Sequence, residues 1–265
     1  MSLQEIQPLQ PIAAYLGGKS KLAKTITRII NETEHKIYAE PFIGMGGVFL
    51  RRNFIPQSEI INDYNKEVSN FFRILQRHYN PFMDTLKWRL SSRAEFNRLL
   101  SVNIETLTDL ERAARFLYLQ KNAFGGKAAG QSFGVTKERS GRFNIYKLAS
   151  ILEEVHERLS GVTIECLDYK EFIKRYDHKD ILFYLDPPYF GCEKDYGNDL
   201  FSRFEFEFMA AILKKIKGKF ILSLNDHEKV REIFKDFNID AVETTYSISV
   251  TKEKTRYGEV LIKNY

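Results

Sequence analysis

The chain has 265 residues, 43% of them hydrophobic and 14% aromatic, and a formal net charge of +5. A chain of this length and composition can bury a substantial core, which excludes an intrinsically disordered protein. No apolar run approaches the roughly 18 residues of a membrane-spanning helix, and residues 1–11 lack the basic and apolar regions of a signal peptide. The two cysteines, Cys166 and Cys192, cannot form a disulfide framework, and the five histidines are scattered without metal-ligand spacing. These features predict a cytoplasmic protein with no metal site.

Positive charge is concentrated in the middle of the chain. Residues 71–155 hold 14 Lys and Arg against 8 Asp and Glu, a net charge of +6, so the remainder is slightly acidic. A basic segment is the expected footprint of a phosphate-binding surface. A solvated helical face would give the same count. Charge therefore permits a nucleic-acid partner without requiring one.

The first seventy residues predict helices and strands in the order αβαβα. Residues 20–30 have the apolar spacing of a helix, and residues 36–39 form a short strand that runs into a glycine-rich turn at 41–47. Residues 58–61 form the next strand, and a helical pattern follows it.

The pattern changes after residue 66. Residues 66–119 are mostly helical, with a capping box formed by Thr108 and Glu111. Residues 123–141 are glycine-rich, polar and basic, as in a hairpin or surface loop. Further strands alternate with helices at 163–167, 181–185, 219–224 and 241–248. We therefore expect one mostly parallel sheet in a catalytic domain of residues 1–70 and 156–265, with residues 71–155 inserted as a mainly helical domain.

The most informative motif is Asp186-Pro187-Pro188-Tyr189, which follows the apolar strand 181–185. Such a strand delivers its carboxyl end to the sheet edge where ligands bind in open α/β folds. The exocyclic amine of adenine is a poor nucleophile because its lone pair is delocalised into the ring. The Asp186 carboxylate and a backbone carbonyl held by the two prolines can accept its N–H groups and direct the lone pair toward a methyl group. The Tyr189 ring offers a face for an extruded base. A simple turn after a strand is the plainer alternative.

A second motif is the glycine-rich turn that contains Gly44 and Gly46. Phe49 stands where a third glycine would complete a dinucleotide-binding fingerprint. Asp63 lies 17 residues beyond Gly46, at the end of the next strand, where an acid can bind a ribose diol. Together these residues indicate an adenosine-containing cofactor. A tight turn followed by a helix-capping Asp is the alternative.

The sequence Gly18-Lys19-Ser20 suggests a different enzyme class, because it could end the phosphate-binding loop of an ATPase. That motif needs glycine at position 13, where Ala13 stands, and a buried strand before it, for which residues 10–12 are poor. The strand ending in Asp186 could supply a magnesium-binding acid, but Pro-Pro-Tyr has no role in ATP hydrolysis. An ATPase is the weaker interpretation.

The motifs Tyr-x-Gly-Gly-Lys, Glu-Pro-Phe-x-Gly-x-Gly, Asn-Asp-x-Asn and Asp-Pro-Pro-Tyr, in this order, resemble those of the Dam-type (D12 class, α-group) DNA adenine methyltransferases over nearly the whole chain. The resemblance implies a Rossmann-like α/β methyltransferase fold that uses S-adenosyl-L-methionine, with an inserted target-recognition domain. It implies methyl transfer to N6 of a flipped-out adenine in double-stranded DNA. It also implies a prokaryotic cytoplasmic, nucleoid-associated or phage-encoded enzyme, with a cognate restriction endonuclease as a candidate partner.

The same resemblance assigns roles to individual residues. Tyr15 and Lys19 would hold the methionine end of the cofactor, Asp63 would bind the ribose, and Asp168 would lie near the adenine. The implied cofactor site comprises Tyr15, Lys19, Phe42, Gly44, Asp63, Asp168 and Asp186. The implied catalytic group is Asp186, Pro187, Pro188 and Tyr189. The implied DNA contacts are Lys121, Asn122, Arg139, Arg142 and Asn144, and residues 246–249 would flank the flipped base. The loop at 127–140 differs from the Dam pattern, so GATC is only a candidate target.

The residues leave three alternatives open. Methylation of cytosine N4 uses the same amine chemistry, RNA could replace DNA as the substrate, and a binding protein could retain an inactive methyltransferase fold. C5-cytosine chemistry is not supported, because neither Cys166 nor Cys192 follows a proline.

Overall fold

In this computed structural model the described residues are 3–15, 17–127, 130–134, 141–191, 202–244 and 257–265. The strands are β1 Gln4–Glu5, β2 Ile37–Glu40, β3 Phe54–Ile55, β4 Ser58–Asn62, β5 Thr163–Glu165, β6 Ile181–Leu185, β7 Lys219–Asn225, β8 Asn238–Thr244 and β9 Tyr257–Lys263. The helices are α1 Ala23–Glu32, α2 Lys66–Arg77, α3 Tyr79–Leu86, α4 Arg93–Ser101, α5 Asp109–Asn122, α6 Ile145–Arg158, α7 Tyr169–Tyr176, α8 Glu205–Leu213 and α9 Glu228–Ile233.

The central sheet has seven strands in the order β5-β4-β2-β6-β7-β9-β8. Neighbouring strands are parallel except β9, which is antiparallel to both β7 and β8. The chain runs outward from β2 to β4 and β5, and then returns to β6 on the other side of β2. The carboxyl ends of β2 and β6 therefore flank the point where the strand order reverses, which is where open α/β sheets bind ligands. This topology confirms the predicted Rossmann-like fold.

Both faces of the sheet are covered, as expected for parallel strands with apolar residues at every position. On β6, Leu182 and Tyr184 pack in one hydrophobic cluster, whereas Phe183 and Leu185 pack in the other. Helices α1 to α6 contribute side chains to the first cluster, and α7, α8 and α9 contribute to the second. The two layers of helices therefore cover the sheet on both faces.

The predicted elements largely form. The capping box of Thr108 and Glu111 opens α5, and the predicted strands of the sheet match β2, β4, β6 and β7 to within one or two residues. The α-helix expected between β2 and β4 is wrong: the segment between them holds a 3-10 turn, Phe49–Arg51, and the short strand β3. The strand expected at 241–248 begins earlier, at Asn238, and residues 245–248 lie outside the described chain.

The inserted segment shares its core with the sheet. Phe71 on α2, Leu117 on α5 and Leu152 on α6 belong to the same buried cluster as Tyr38 of β2. Helix α2 spans residue 71 and packs along α5. The division into residues 1–70 with 156–265 and an insert of 71–155 stays a prediction. In the described ranges no helix is both long and apolar enough to cross a membrane.

Candidate active site

A cavity of about 330 Å³ lies at the reversal point of the sheet. Its walls come from the segment before α1, the turn after β2, the residues that follow β4 and the end of β6. Six of the seven predicted cofactor residues line it: Tyr15, Lys19, Phe42, Gly44, Asp63 and Asp186. The seventh, Asp168, is not among the lining residues, and its carboxylate caps α7 by accepting the Lys170 amide at 2.8 Å. The fold thus brings four distant stretches of sequence to one cavity.

The turn after β2 depends on glycine at two positions. Gly44 has φ +50° and donates its amide to Asp63 Oδ2 at 2.9 Å, and a Cβ there would lie 3.1 Å from the Tyr15 ring. Gly46 has φ +72°, and a Cβ there would lie 3.0 Å from the Leu50 side chain. A residue with a side chain would be strained at both positions. The turn can therefore bring its backbone close to whatever fills the cavity.

Asp63 presents an acceptor to the cavity from the end of β4. Its second oxygen, Oδ1, accepts the Asn65 amide at 2.9 Å. Burial raises the pKa of Asp63 to about 6, although both amide bonds oppose the rise. Each carboxylate oxygen has a further lone pair, so a ligand with hydroxyl groups would find acceptors here.

Lys19 is a buried cation at the centre of the site. Its Nζ lies 2.7 Å from Asp186 Oδ1, 2.7 Å from the Tyr189 hydroxyl and 3.6 Å from Glu259 Oε2. The same nitrogen lies 4.2 Å from the centroid of the Tyr189 ring. Described residues 6–15 contain no strand, so Lys19 lacks the preceding strand of an ATPase phosphate loop.

Asp186 is held from the neighbouring strand. The Ser223 hydroxyl on β7 lies 3.1 Å from Asp186 Oδ1 and 3.0 Å from the Tyr184 hydroxyl. Burial raises the pKa of Asp186, while the charge and hydrogen bond of Lys19 and the bond from Ser223 lower it. The Asp186 side chain is still 22% exposed, whereas those of Lys19 and Glu259 are at most 1% exposed. Asp186 is therefore the member of this cluster that a substrate can reach.

The residues after Asp186 are clamped by the end of β7. Asn225 accepts the Phe190 amide at 2.9 Å and donates to the Phe190 carbonyl at 3.1 Å. Pro187 and Pro188 are buried, and Pro188 lines the cavity. With Ser223 at one end and Asn225 at the other, the backbone of the Asp-Pro-Pro-Tyr turn is fixed before any ligand arrives.

Sequence reasoning missed four polar residues of this site: Arg51, Ser223, Asn225 and Glu259. Ser223 and Asn225 carried a usable signal, because they are polar residues in the carboxyl half of an apolar strand. Glu259 carried a weaker one, an acid beside the apolar run 260–262. Its proximity to Lys19 follows from the pairing of Asn225 with Glu259 across β7 and β9, which the sequence does not reveal.

A further buried acid, Glu40, ends β2. It is 2% exposed and accepts a hydrogen bond from the Tyr38 hydroxyl at 2.6 Å. Burial raises the pKa of Glu40 to about 8, although the Tyr38 bond and the nearby Arg52 oppose the rise.

The predicted DNA contacts differ in their exposure to solvent and in their hydrogen-bond partners. Arg142 and Asn144 are exposed: Arg142 donates to the Ala123 carbonyl at 2.8 Å, and Asn144 caps α6. Asn122 is only 1% exposed, and its amide donates to the Tyr118 carbonyl at 2.9 Å.

Lys121 is half-buried, and its Nζ donates to the Ile12 carbonyl at 2.7 Å. Burial lowers the pKa of Lys121. Arg139, Cys192 and residues 246–249 lie outside the described chain. Within the described ranges, no group of three or more His, Cys, Asp or Glu side chains could hold a metal ion.

The fold and the cavity define an α/β protein with a ligand site at the strand reversal and an acid-proline-proline-aromatic turn at its edge. Comparison with known proteins identifies the class further. The sequence profile of the D12 class N6 adenine-specific DNA methyltransferases matches residues 15–248. The chain belongs to this family, and it is a site-specific DNA methyltransferase that acts on N6 of adenine. This excludes the ATPase and cytosine-N4 alternatives.

Named relatives match along almost their full length. The type II methyltransferase M1.LlaDCHI of Lactococcus lactis subsp. cremoris is 26% identical over 97% of this chain and 96% of its own length. The DNA adenine methylase of Haemophilus influenzae is 26% identical over 92% and 90%, and the type II methyltransferase M.MjaIII of Methanocaldococcus jannaschii is 24% identical over 97% and 99%.

Proposed function

We propose that the methyl donor is S-adenosyl-L-methionine and that it binds in the cavity at the strand reversal. The observation that supports this most is the convergence of Tyr15, Phe42, Asp63 and Asp186, predicted as cofactor residues and far apart in sequence, on one cavity. Asp168 would complete the adenine end of the site only if the α7 cap rearranged.

The cavity suits a nucleoside that carries an amino acid. Its volume of about 330 Å³ lies at the lower end of the range for small-molecule sites. Aromatic rings at Tyr15 and Phe42 offer apolar faces, and the oxygens of Asp63 offer acceptors for hydroxyl groups. The close approach of the turn backbone at Gly44 fits a bulky ligand packed against it.

S-adenosyl-L-methionine would supply an electrophilic methyl group on a sulfonium. The chain would supply the positioning of the amine that attacks. Asp186 would accept an N–H of the adenine N6 amino group, and the backbone carbonyl within the rigid proline turn would accept the other. These two bonds localise the nitrogen lone pair, an effect that relies on acceptors already in place.

Lys19 would tune this acceptor. A cation 2.7 Å from Asp186 Oδ1 favours the ionised carboxylate. Ser223 donates to the same oxygen, leaving Asp186 Oδ2 as the natural acceptor for the substrate. Tyr189 is anchored by its hydroxyl to Lys19 and would stack on the extruded base.

Duplex DNA would be held by the inserted lobe. The exposed residues Arg142 and Asn144 stand at the start of α6 and would contact the backbone or the base edges, with Arg139 and Lys121 as further predicted contacts. Asn122 would reach a base only after leaving its bond to Tyr118. The adenine would be flipped out of the helix, because an amine inside a duplex cannot reach Asp186.

Calorimetry and methyl transfer test the proposal together. The purified protein in EDTA should bind S-adenosyl-L-methionine and its demethylated product, and it should not bind ATP with Mg²⁺. Tritiated methyl groups should pass to unmethylated duplex DNA, with N6-methyladenine found by mass spectrometry of the nucleosides. Transfer that required a metal ion, or a preference for RNA, would contradict the proposal.

Relatives named as type II methyltransferases suggest a restriction-modification role. We propose that a cognate endonuclease cleaves the same sequence and that the enzyme works in the cytoplasm of a prokaryotic or virus-infected cell. Mapping methylated adenines in DNA from expressing cells would give the target, and that DNA should resist the matching nuclease.

A further inference from the structure

The two cations that line the cavity differ in whether carboxylates pair with them. The lining holds two cations, Lys19 and Arg51, and two carboxylates, Asp63 and Asp186. Lys19 is already in contact with both Asp186 and Glu259. Its positive charge is therefore offset by two carboxylates. Arg51 is the other lining cation, and among the described residues it forms no ion pair with a carboxylate.

Arg51 closes the 3-10 turn that follows the glycine-rich segment. Its Nη1 donates to the Gly47 carbonyl at 2.6 Å, and its Nη2 donates to Gln10 Oε1 at 3.2 Å. Burial lowers the pKa of Arg51, and no carboxylate among the described residues opposes this. A guanidinium has five N–H donors, so these two bonds fix its plane and leave three donors unused by them.

We infer that Arg51 binds the α-carboxylate of the methionyl group of the cofactor; this rests on the proposed function. A partly desolvated guanidinium that pairs with no described carboxylate is matched by a ligand carboxylate, which it can hold through two parallel hydrogen bonds. Beside Lys19 the same carboxylate would meet the negative charge of Asp186 and Glu259, which outnumber that one cation. The methionyl group would therefore be oriented with its carboxylate at Arg51 and its positive groups toward Asp186.

The competing explanation is that Arg51 only braces the turn by linking Gly47 to Gln10. The two explanations differ in which ligand they affect. A brace would support every ligand of the cavity, whereas a carboxylate-binding residue matters only for a ligand that has the carboxylate.

Binding of S-adenosyl-L-methionine and of decarboxylated S-adenosylmethionine, measured by calorimetry without DNA, separates the explanations. The wild-type protein should bind the complete cofactor more tightly by roughly 10- to 100-fold, the range for a hydrogen bond to a charged group. Arg51→Gln should lose most of that preference by weakening only the complete cofactor. Arg51→Lys should keep part of it, because the charge remains and the planar fork is lost.

Arg28→Gln is the control variant, because it removes a cation from the exposed face of α1, away from the cavity. It should change the affinity for neither S-adenosyl-L-methionine nor its decarboxylated form. Equal weakening of both ligands in Arg51→Gln would overturn the inference in favour of a brace, as would a wild-type protein with no preference. If Arg51→Gln does not fold, the wild-type preference and Arg51→Lys still decide. Failure of the wild-type protein to bind either ligand would instead reject the proposed cofactor.

Discussion

Replacing Lys19 by Met removes the only cation that contacts both Asp186 and Glu259 among the described residues. Met is close to Lys in length and keeps the packing of the stem, so the change is mainly one of charge. Two carboxylates would be left in a buried site without their shared partner. We expect the site, and the stability of the folded chain, to respond in a pH-dependent way.

The distances set the size of the effect. At an effective dielectric constant of about 20, separations of 2.7 and 3.6 Å correspond to gross attractions of roughly 6 and 5 kcal/mol. Desolvation offsets much of this, and removing one partner of a buried ion pair costs about 3–5 kcal/mol. We therefore expect Lys19→Met to lower the free energy of unfolding by that amount near neutral pH.

The loss should shrink in acid. Without Lys19, the folded-state pKa of Asp186 rises further above its unfolded value of 3.8, since the cation that lowers it is gone. A carboxyl with a raised folded pKa gives stability that is complete below its unfolded pKa and lost as pH rises through the folded pKa. The variant should therefore approach the wild-type stability as the pH falls toward 4. The acid limb of its methylation rate should also move to higher pH, because the ionised carboxylate of Asp186 is a stronger acceptor for the amine than the protonated acid.

Urea unfolding between pH 4 and 8 and the pH dependence of kcat/KM measure these two effects. Lys19→Arg keeps a cation and should be milder in both. Lys19→Met combined with Glu259→Gln should recover stability, because it removes one of the two carboxylates that lose their shared contact with Lys19. An unfolding free energy that falls equally at all pH values, with an unmoved acid limb, would refute the electrostatic role of Lys19.

Four further predictions concern other residues. Asp186→Ala should reduce turnover by about 10²–10³ through loss of a preorganised acceptor, and Asp186→Asn, which keeps an acceptor oxygen, should be less damaging in tritium transfer assays. Tyr189→Ala should weaken capture of the extruded base by about 1–3 kcal/mol through loss of stacking. Tyr189→Phe keeps the ring and should be milder, although it loses the hydrogen bond to Lys19. Binding assays with abasic and mismatched duplexes compare the two variants. In the wild-type protein, the raised pKa of Glu40 makes the free energy of unfolding fall as pH rises from about 4.5 to 8, by at most about 1.4 kcal/mol per pH unit. Glu40→Gln should remove this contribution and flatten the pH dependence of unfolding over that range. Lys147 is a second exposed cation beside Arg142, in the first turn of α6. Neutralising Arg142 and Lys147 together should reduce the log–log salt slope of DNA binding by roughly 1.8, and an unchanged slope would show that these two cations do not contact phosphates.

The residues that were predictable from sequence share a simple geometry. Asp63 and Asp186 directly follow apolar strands, and parallel strands bring their carboxyl ends to one edge of a sheet. Gly44 follows a strand in the same way. The family motif added Tyr15 and Lys19, which precede α1 and have no strand to place them. Local pattern and topology were therefore enough to predict a place at this edge for Gly44, Asp63 and Asp186, whereas Tyr15 and Lys19 needed the family motif.

Other positions depend on contacts between distant segments. Glu259 reaches the site only because β9 inserts antiparallel between β7 and β8, and a strand of mixed charged and apolar residues gives no hint of that order. Asn122 resembles a polar surface residue in sequence, yet the packing of α5 buries it. Asp168 follows a strand but caps a helix, which is the competing role of Asp at that position. The sequence pattern alone does not show whether such a polar residue faces the cavity, is buried in the core or caps a helix. That depends on which backbone groups the folded chain leaves in need of a hydrogen-bond partner.

The inserted helical segment packs directly against backbone that leads into the cavity wall. Gln120, which is 1% exposed, donates to the Ala14 carbonyl at 2.7 Å, and Lys121 donates to the Ile12 carbonyl at 2.7 Å. A Cβ at Gly126 would lie 2.9 Å from the Ala14 backbone, so the end of α5 and the residues before Tyr15 fit without spare room. Ala14 and Tyr15 line the cavity. A displacement of α5 on DNA binding would therefore move cavity-lining backbone or break these two hydrogen bonds. Any coupling that results must be reciprocal: whatever DNA does to cofactor affinity, the cofactor does to DNA affinity by the same factor.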